Sequence, residues 1–289
     1  MAPWLLGLVM AQAATGYHCA ANRNDTRRAK HAIRVCERRL AQRCRGQNRL
    51  VELPGCPPES VDFPPAAKSL FGGTEASELG CISRSTQLGR ALWCLARHGG
   101  VRKALELFTG IGAGTTLLLG HALGRRDRPG TFFSVDRDHV NAWHATEVLH
   151  AAAKVEALVV PLSDAQGIPS GTKEGFQAPG SYILQGDVFK HPKFIEALCF
   201  MTDGMDLIML DPATDLRHTW PKLEKWCRPK FLAIHNSNLP GHAGWIPAQL
   251  KRRAPTAQDD HAWYELMNGS HPSIWEPGMR HWSLMARCD

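Results

Sequence analysis

An α/β fold built on a mainly parallel sheet is what this sequence predicts, and three observations lead there. Short β-branched or aromatic runs alternate with amphipathic or Ala-rich stretches from about residue 86 onward. The runs end on polar residues, chiefly carboxylates, and the first breaks into alternating glycines, Gly110-Ile-Gly112-Ala-Gly114. Strands separated by helices pair in parallel and carry those helices on both faces, so a Rossmann-like sheet is expected.

Each element follows from its own pattern. A helical stretch near Thr86 to His98 precedes a strand over Ala104 to Phe108, and a second helix runs from about Thr115 to Leu123. Thr-Phe-Phe-Ser-Val135-Asp136 is a strand ending in a carboxylate, followed by an Ala-rich helix from about His139 to Lys154 and a strand-like run from Val155 to Leu162. The Gly- and Pro-containing stretch 163–180 reads as an inserted loop or hairpin. Then come a short strand and turn over Tyr182 to Asp187, a helix over Pro192 to Phe200 and a buried strand over Asp206 to Asp211. A helix near Trp220 to Trp226, a strand over Phe231 to Asn236 and a helix over Gly244 to Arg253 follow. Two strands near Ala262 to Met267 and Trp282 to Ala286 close the chain as an antiparallel hairpin.

The 289 residues, 44% of them hydrophobic, suffice for one large domain with an appendage and exclude disorder as the main state. The formal charge is +7, but residues 23–49 hold ten Lys and Arg against Asp25 and Glu37. That tract alone carries +8, so the remainder is close to neutral and nucleic-acid binding by the main domain is not implied. Within the tract Ala29, Ile33, Cys36, Leu40 and Cys44 recur at helical spacing, which predicts a basic amphipathic helix suited to an anionic surface. Prolines 54, 57, 58, 64 and 65 end it as a linker. Residues 1–13 form a short apolar run ending in Ala11-Gln-Ala13, the pattern of a cleaved signal peptide, too short to span a bilayer. The expected organisation is therefore a signal peptide at 1–13, helix and linker at 14–66 and one domain at 67–289, with entry to the secretory pathway, or a cytoplasmic chain if the leader is not used. Nine cysteines contain no C-x-x-C pair, which argues against structural zinc. Cys94 and Cys199, in apolar helical contexts, read as buried free thiols.

In open parallel sheets ligands bind beyond the carboxyl ends of the strands. Here those ends carry Glu106 and the glycine turn, then Asp136, Gly186-Asp187, Asp211 and His235-Asn236. Glycines admit a ligand close to the backbone, and a carboxylate accepts two hydrogen bonds from a vicinal diol. This order resembles the class I S-adenosylmethionine-dependent methyltransferases from roughly Thr86 to the C-terminus. The resemblance implies that Glu106, Gly110, Gly112 and Gly114 cradle the methionine portion of the cofactor, that Asp136 binds the ribose hydroxyls, and that Gly186-Asp187 borders the adenine. Phe108 stands where many members have glycine, which implies a wider turn or a differently held methionine end.

Leu210-Asp211-Pro-Ala-Thr-Asp215 and Ala233-Ile-His235-Asn236-Ser-Asn-Leu-Pro-Gly241 are similar to the corresponding segments of catechol O-methyltransferase-like small-molecule O-methyltransferases. That similarity implies methyl transfer to an oxygen of a small molecule, with Asp211, His235 and Asn236 as ligands of a divalent metal. His235 replaces a second Asp, which shifts preference toward softer ions, and Thr214 replaces the group's lysine base. Asp211 and His235 are the candidate catalytic residues, with Asp215 and His218 as further candidate bases. A G-x-G-x-x-G dinucleotide fingerprint fails because Thr115 stands where the last glycine is needed. The rival expectation is a non-catalytic secreted interaction protein on the same fold, docking through its basic helix.

Overall fold

The computed structural model describes residues 82, 86–97, 100–110, 112–124, 129–153, 155–161, 179–187, 192–211, 219–236, 246, 250, 262–272 and 279–288. The expected leader, basic helix and linker, most of the stretch 163–180 expected as a loop or hairpin, most of the expected helix over Gly244 to Arg253, and Thr214, Asp215 and His218 lie outside the described residues.

In chain order the elements are α1 (Gln87–Arg97), β1 (Lys103–Leu107), α2 (Thr115–Gly124), β2 (Thr131–Asp136), α3 (His139–Val148), β3 (Ala157–Pro161), β4 (Gly180–Gln185), α4 (Pro192–Met201), β5 (Leu207–Leu210), α5 (Trp220–Cys227), β6 (Phe231–His235), β7 (Ala262–Pro272) and β8 (Met279–Cys288). They form one eight-stranded sheet in the order β3-β4-β2-β1-β5-β6-β8-β7. Every pair from β3 to β6 is parallel, while β8 runs antiparallel to both β6 and β7. The predicted Rossmann-like sheet with a C-terminal antiparallel hairpin is thus the observed architecture.

Strand side chains alternate between two covers, as a period of two requires. Leu105, Leu107, Phe133, Ile208, Leu210, Leu232 and Ile234 join Phe194 and Leu198 of α4 and Trp220 and Leu223 of α5. Ala104, Phe132, Leu207, Met209, Phe231 and Ala233 join Leu88, Leu92 and Leu95 of α1 and Leu118 and Leu119 of α2. Both sheet faces are therefore dry, which is why these strands read as continuous apolar runs rather than alternating ones.

Three expectations are corrected. The long helix after β2 is α3 followed by a π turn at Leu149–Ala153, which seats Leu149 where a side-chain carbon on Gly120 would otherwise stand. The two closing strands, expected near Ala262 to Met267 and Trp282 to Ala286, are longer: the β7–β8 ladder reaches Pro272 opposite Met279, with an irregularity between Glu265 and Met267. Cys94 and Cys199 are not free thiols. Cys199 of α4 bonds Cys227 of α5 across a Cα separation of 4.8 Å, and Cys94 is also disulfide-bonded. Apolar surroundings suit a buried disulfide as well as a thiol, so only the packing of α4 on α5 separates the two.

Candidate active site

The parallel strands all point their carboxyl ends to one edge. Because β4, β2, β1, β5 and β6 are adjacent in that order, the edge carries Gly186-Asp187, Asp136, the glycine turn, Asp211 and His235-Asn236 in sequence. Two of these exits are tied directly, since the Gly186 N–H donates to the Asp136 carbonyl at 2.7 Å.

The glycine turn is specified twice over. Gly110 and Gly112 have φ of +55° and +78°, the left-handed region that favours glycine. A Cβ on Gly112 would lie 2.5 Å from Ala145 Cα and 2.7 Å from Ala145 Cβ, whereas one on Gly110 would meet nothing within 4 Å. Gly112 is thus required by the packing of α3, and Gly110 faces open space. The carbonyls of Gly112 and Gly114 accept from Leu117 and Leu118 and lead the chain into α2. Phe108 has a φ of +78°, so its backbone keeps the conformation a glycine would take and the departure lies in the side chain.

Glu106 is fully buried beneath this turn, and its carboxyl accepts from Thr115 Oγ1, from Thr116 Oγ1 at 2.6 Å and from Ser134 Oγ at 2.7 Å. The Ser134 hydroxyl also shares a 2.6 Å hydrogen bond with that of Thr109. Glu106 therefore pins the start of α2 to β1 and β2, and holds the turn from behind. Its three hydroxyl partners carried no sequence signal beyond a lone serine and threonines in apolar surroundings. Burial raises the Glu106 carboxyl from its ordinary 4.5 to about 7, with the three hydroxyls pulling the other way and Asp211 adding to the rise. A carboxyl raised on folding stabilises most below its unfolded value, so this contribution, about 3 kcal/mol at most, is lost as pH rises from 4.5 through 7. Urea unfolding at pH 5 and pH 8 should show that loss in the wild type and little of it in Glu106→Gln. An equal pH dependence in the variant overturns the assignment.

Asp136 is 7% exposed. Its Oδ2 accepts from the Gly110 N–H at 2.9 Å, joining the second-strand carboxylate to the glycine turn, and its Oδ1 accepts from the Asp138 N–H at 2.9 Å and from Asn141 Nδ2 at 3.4 Å. A carboxylate offers about four acceptor positions. Two bonds from a ribose therefore require the long Asn141 contact to give way. Asp138, which accepts from the Val140 N–H as the cap of α3, orients the helix that supplies Asn141.

Asp211, His235 and Asn236 do converge, and they converge on one another. His235 Nδ1 lies 2.8 Å from Asp211 Oδ1, and Asn236 Nδ2 donates to the same oxygen at 2.6 Å. An acceptor on that side requires the proton on Nδ1. The side chain of His235 is 1% exposed and that of Asp211 26%. Asn236 has a φ of +56°, which asparagine tolerates better than most residues, and its Oδ1 is buried with no hydrogen-bond partner among the described residues. This arrangement commits one carboxylate oxygen of Asp211 to its two neighbours, so a divalent ion there would have to be taken by Asp211 Oδ2 and Asn236 Oδ1. Both neighbours turn N–H groups toward Asp211, and the imidazole nitrogen on that side is no longer a lone-pair donor. Among the described residues no group of three or more His, Cys, Asp or Glu side chains is disposed to hold a metal ion.

No protein-family profile matches the chain, and no curated protein does. Solved structures resemble it in fold. The O-methyltransferase TomG of Streptomyces achromogenes, in complex with SAM, is 14% identical, over 78% of this chain and 87% of that one, with a TM-score of 0.47. An O-methyltransferase of Bacillus cereus, in complex with SAH, is 14% identical over 79% and 93%, with a TM-score of 0.48. A putative O-methyltransferase of Klebsiella pneumoniae is 13% identical over 79% and 92%, with a TM-score of 0.49.

Proposed function

We propose that this chain transfers a methyl group from S-adenosylmethionine to an oxygen of a small molecule. The observation that carries the reading is the adjacency of β2, β1, β5 and β6, which lines up a carboxylate for a diol, a glycine turn open at Gly110 and a polar group at Asp211 along one sheet edge. S-adenosylmethionine, when bound, supplies an electrophilic methyl that an oxygen nucleophile takes by in-line displacement, the electron pair of the broken S–C bond staying on sulfur. Asp136, Gly110, Gly112, Gly186 and Asp187 would hold it, with Glu106 and Gly114 shaping the turn.

The remaining residues serve the acceptor. Asp211 is more exposed than His235 and is the group that takes the hydroxyl proton as the O–C bond forms. His235, too buried to touch a substrate, is a positioning residue that fixes the Asp211 carboxylate by its Nδ1–H. The Oδ1 of Asn236, without a partner among the described residues, is an acceptor that a hydroxylated ligand would satisfy. No step passes through a metal, so activity should survive chelation.

Calorimetric titration with S-adenosylmethionine tests the reading at its anchor. Asp136→Ala should weaken binding by about 1.5–3 kcal/mol, the range for hydrogen bonds to a charged group. An unchanged affinity in a folded variant removes Asp136 from the site.

The chain is further read as entering the secretory pathway, a reading supported by the Cys199–Cys227 bond and the bonded Cys94, since disulfides persist in oxidising compartments. Its basic tract at 23–49 is read as an anionic-surface contact, supported by the local +8 charge. Among the described residues no helix is long and apolar enough to cross a membrane.

A further inference from the structure

Phe108 is the first residue beyond β1, and its side chain does not go where the strand would send it. Alternation along β1 puts Leu105 and Leu107 against the α4–α5 cover, and Ala104 and Glu106 on the α1–α2 side. A regular strand would return residue 108 to the side of Glu106. Its φ of +78° breaks the alternation, and the half-buried ring packs against the α4–α5 cluster instead. The turn is clamped there, with the N–H groups of Phe108 and Thr109 both donating to the Val135 carbonyl, at 2.8 and 3.2 Å. A bulky residue in the left-handed region is a true outlier, and such outliers concentrate at working sites.

The strand order says what the ring stands beside. β1 lies between β2, which ends at Asp136, and β5, which leads to Asp211, whose N–H donates to the Leu107 carbonyl at 3.3 Å. In the proposed cofactor the sulfur is bonded to the ribose on one side and to the departing methyl on the other. With the ribose at Asp136 and the acceptor at Asp211, that sulfur belongs over the exit of β1, where Phe108 stands. We infer that the Phe108 ring forms an aromatic wall against the sulfonium, recognising the positively charged methyl donor over the neutral thioether product. The face of an aromatic ring attracts a cation and has no such attraction for the uncharged thioether. Loss of the charge on methyl transfer then weakens the hold on the product and favours exchange for a new donor.

This inference rests on the methyl-transfer reading, and binding measurements separate the two. The full-length protein and its Phe108→Leu and Phe108→Tyr variants would be titrated calorimetrically with S-adenosylmethionine and with S-adenosylhomocysteine, folding being checked by thermal melting. Phe108→Leu should lose about three- to thirtyfold in affinity for the sulfonium, the span of cation–π strengths, with less than about a twofold change for the thioether. Phe108→Tyr, which keeps the ring face, should keep the preference. Equal changes for both ligands in Phe108→Leu overturn the assignment, as does a tyrosine variant that behaves like the leucine one. Should the leucine variant fail to fold, Phe108→Met gives a second non-aromatic wall to which the same criteria apply. A wild-type protein that binds neither ligand overturns the methyl-transfer reading itself, and one that binds both equally well overturns only the role of Phe108.

Discussion

Replacing Gly112 with valine should lower the stability of the domain by about 2–5 kcal/mol, combining the cost of a left-handed backbone for an L-residue with that of overpacking. The physical cause is local and specific. The added Cβ would sit 2.5 Å from the backbone Cα of Ala145, and Ala145 belongs to α3, which is itself packed on the sheet through Ala142 and Val148. A flexible side-chain end would move aside, but a helix backbone moves only with the helix. Gly110→Ala is the contrast, since a Cβ there meets nothing within 4 Å and only its φ of +55° opposes the change. Chemical unfolding of the two variants should rank them in that order. A Gly112→Val protein as stable as the wild type would show that α3 is not held against the turn as described.

Asp211→Asn should reduce kcat by about 10²–10⁴, the usual contribution of a positioned base, while affinity for S-adenosylmethionine changes by less than about threefold. Asparagine matches aspartate in size and still presents an oxygen toward His235 Nδ1 and Asn236 Nδ2, which lie 2.8 and 2.6 Å from the carboxylate. Both buried donors therefore keep an acceptor, and loss of rate reports loss of basicity. Asp211→Ala is the poorer probe because it strands those donors, each at a cost of about 1–3 kcal/mol. His235→Asn should also fall in kcat with KM little changed, by less than Asp211→Asn, because it acts through the carboxylate rather than on substrate. Full activity in Asp211→Asn would move the base elsewhere, and loss of activity on chelation would restore a metal to the site.

The location of the candidate site could be read along the chain because these buried parallel strands are largely apolar until they reach the sheet edge, so Asp136, Asp211 and His235 mark the exits. The same contrast marked the glycine turn, where an apolar run yields to residues that only a tight or left-handed backbone needs. Which of the glycines is indispensable could not be read, since Gly110 and Gly112 differ only in what α3 brings near them. Glu106 looked like a ligand residue from its place in the motif. Three hydroxyls from two other elements turn it into a buried strut.

The hairpin shows the same division. Asn268-Gly-Ser with later prolines carries turn chemistry locally, yet β8 pairs with β7 through to Pro272 because backbone groups beside an existing sheet gain more from the ladder than from a loop. Cys199 and Cys227 are 28 residues apart, a spacing that says nothing of pairing until α4 and α5 lie side by side. What the sequence by itself determined is what depends on neighbours along the chain: element types, the polar strand exits and the concentration of the net positive charge in residues 23–49. Only the tertiary structure decided what depends on neighbours in space. That includes the strand order that sets Asp136, Phe108 and Asp211 in a row, and the burial that makes Asp211 the accessible group and His235 its support. It also includes the hydrogen bonds by which His235 and Asn236 hold one oxygen of Asp211, because direction and solvent access at an atom are fixed by packing between distant segments.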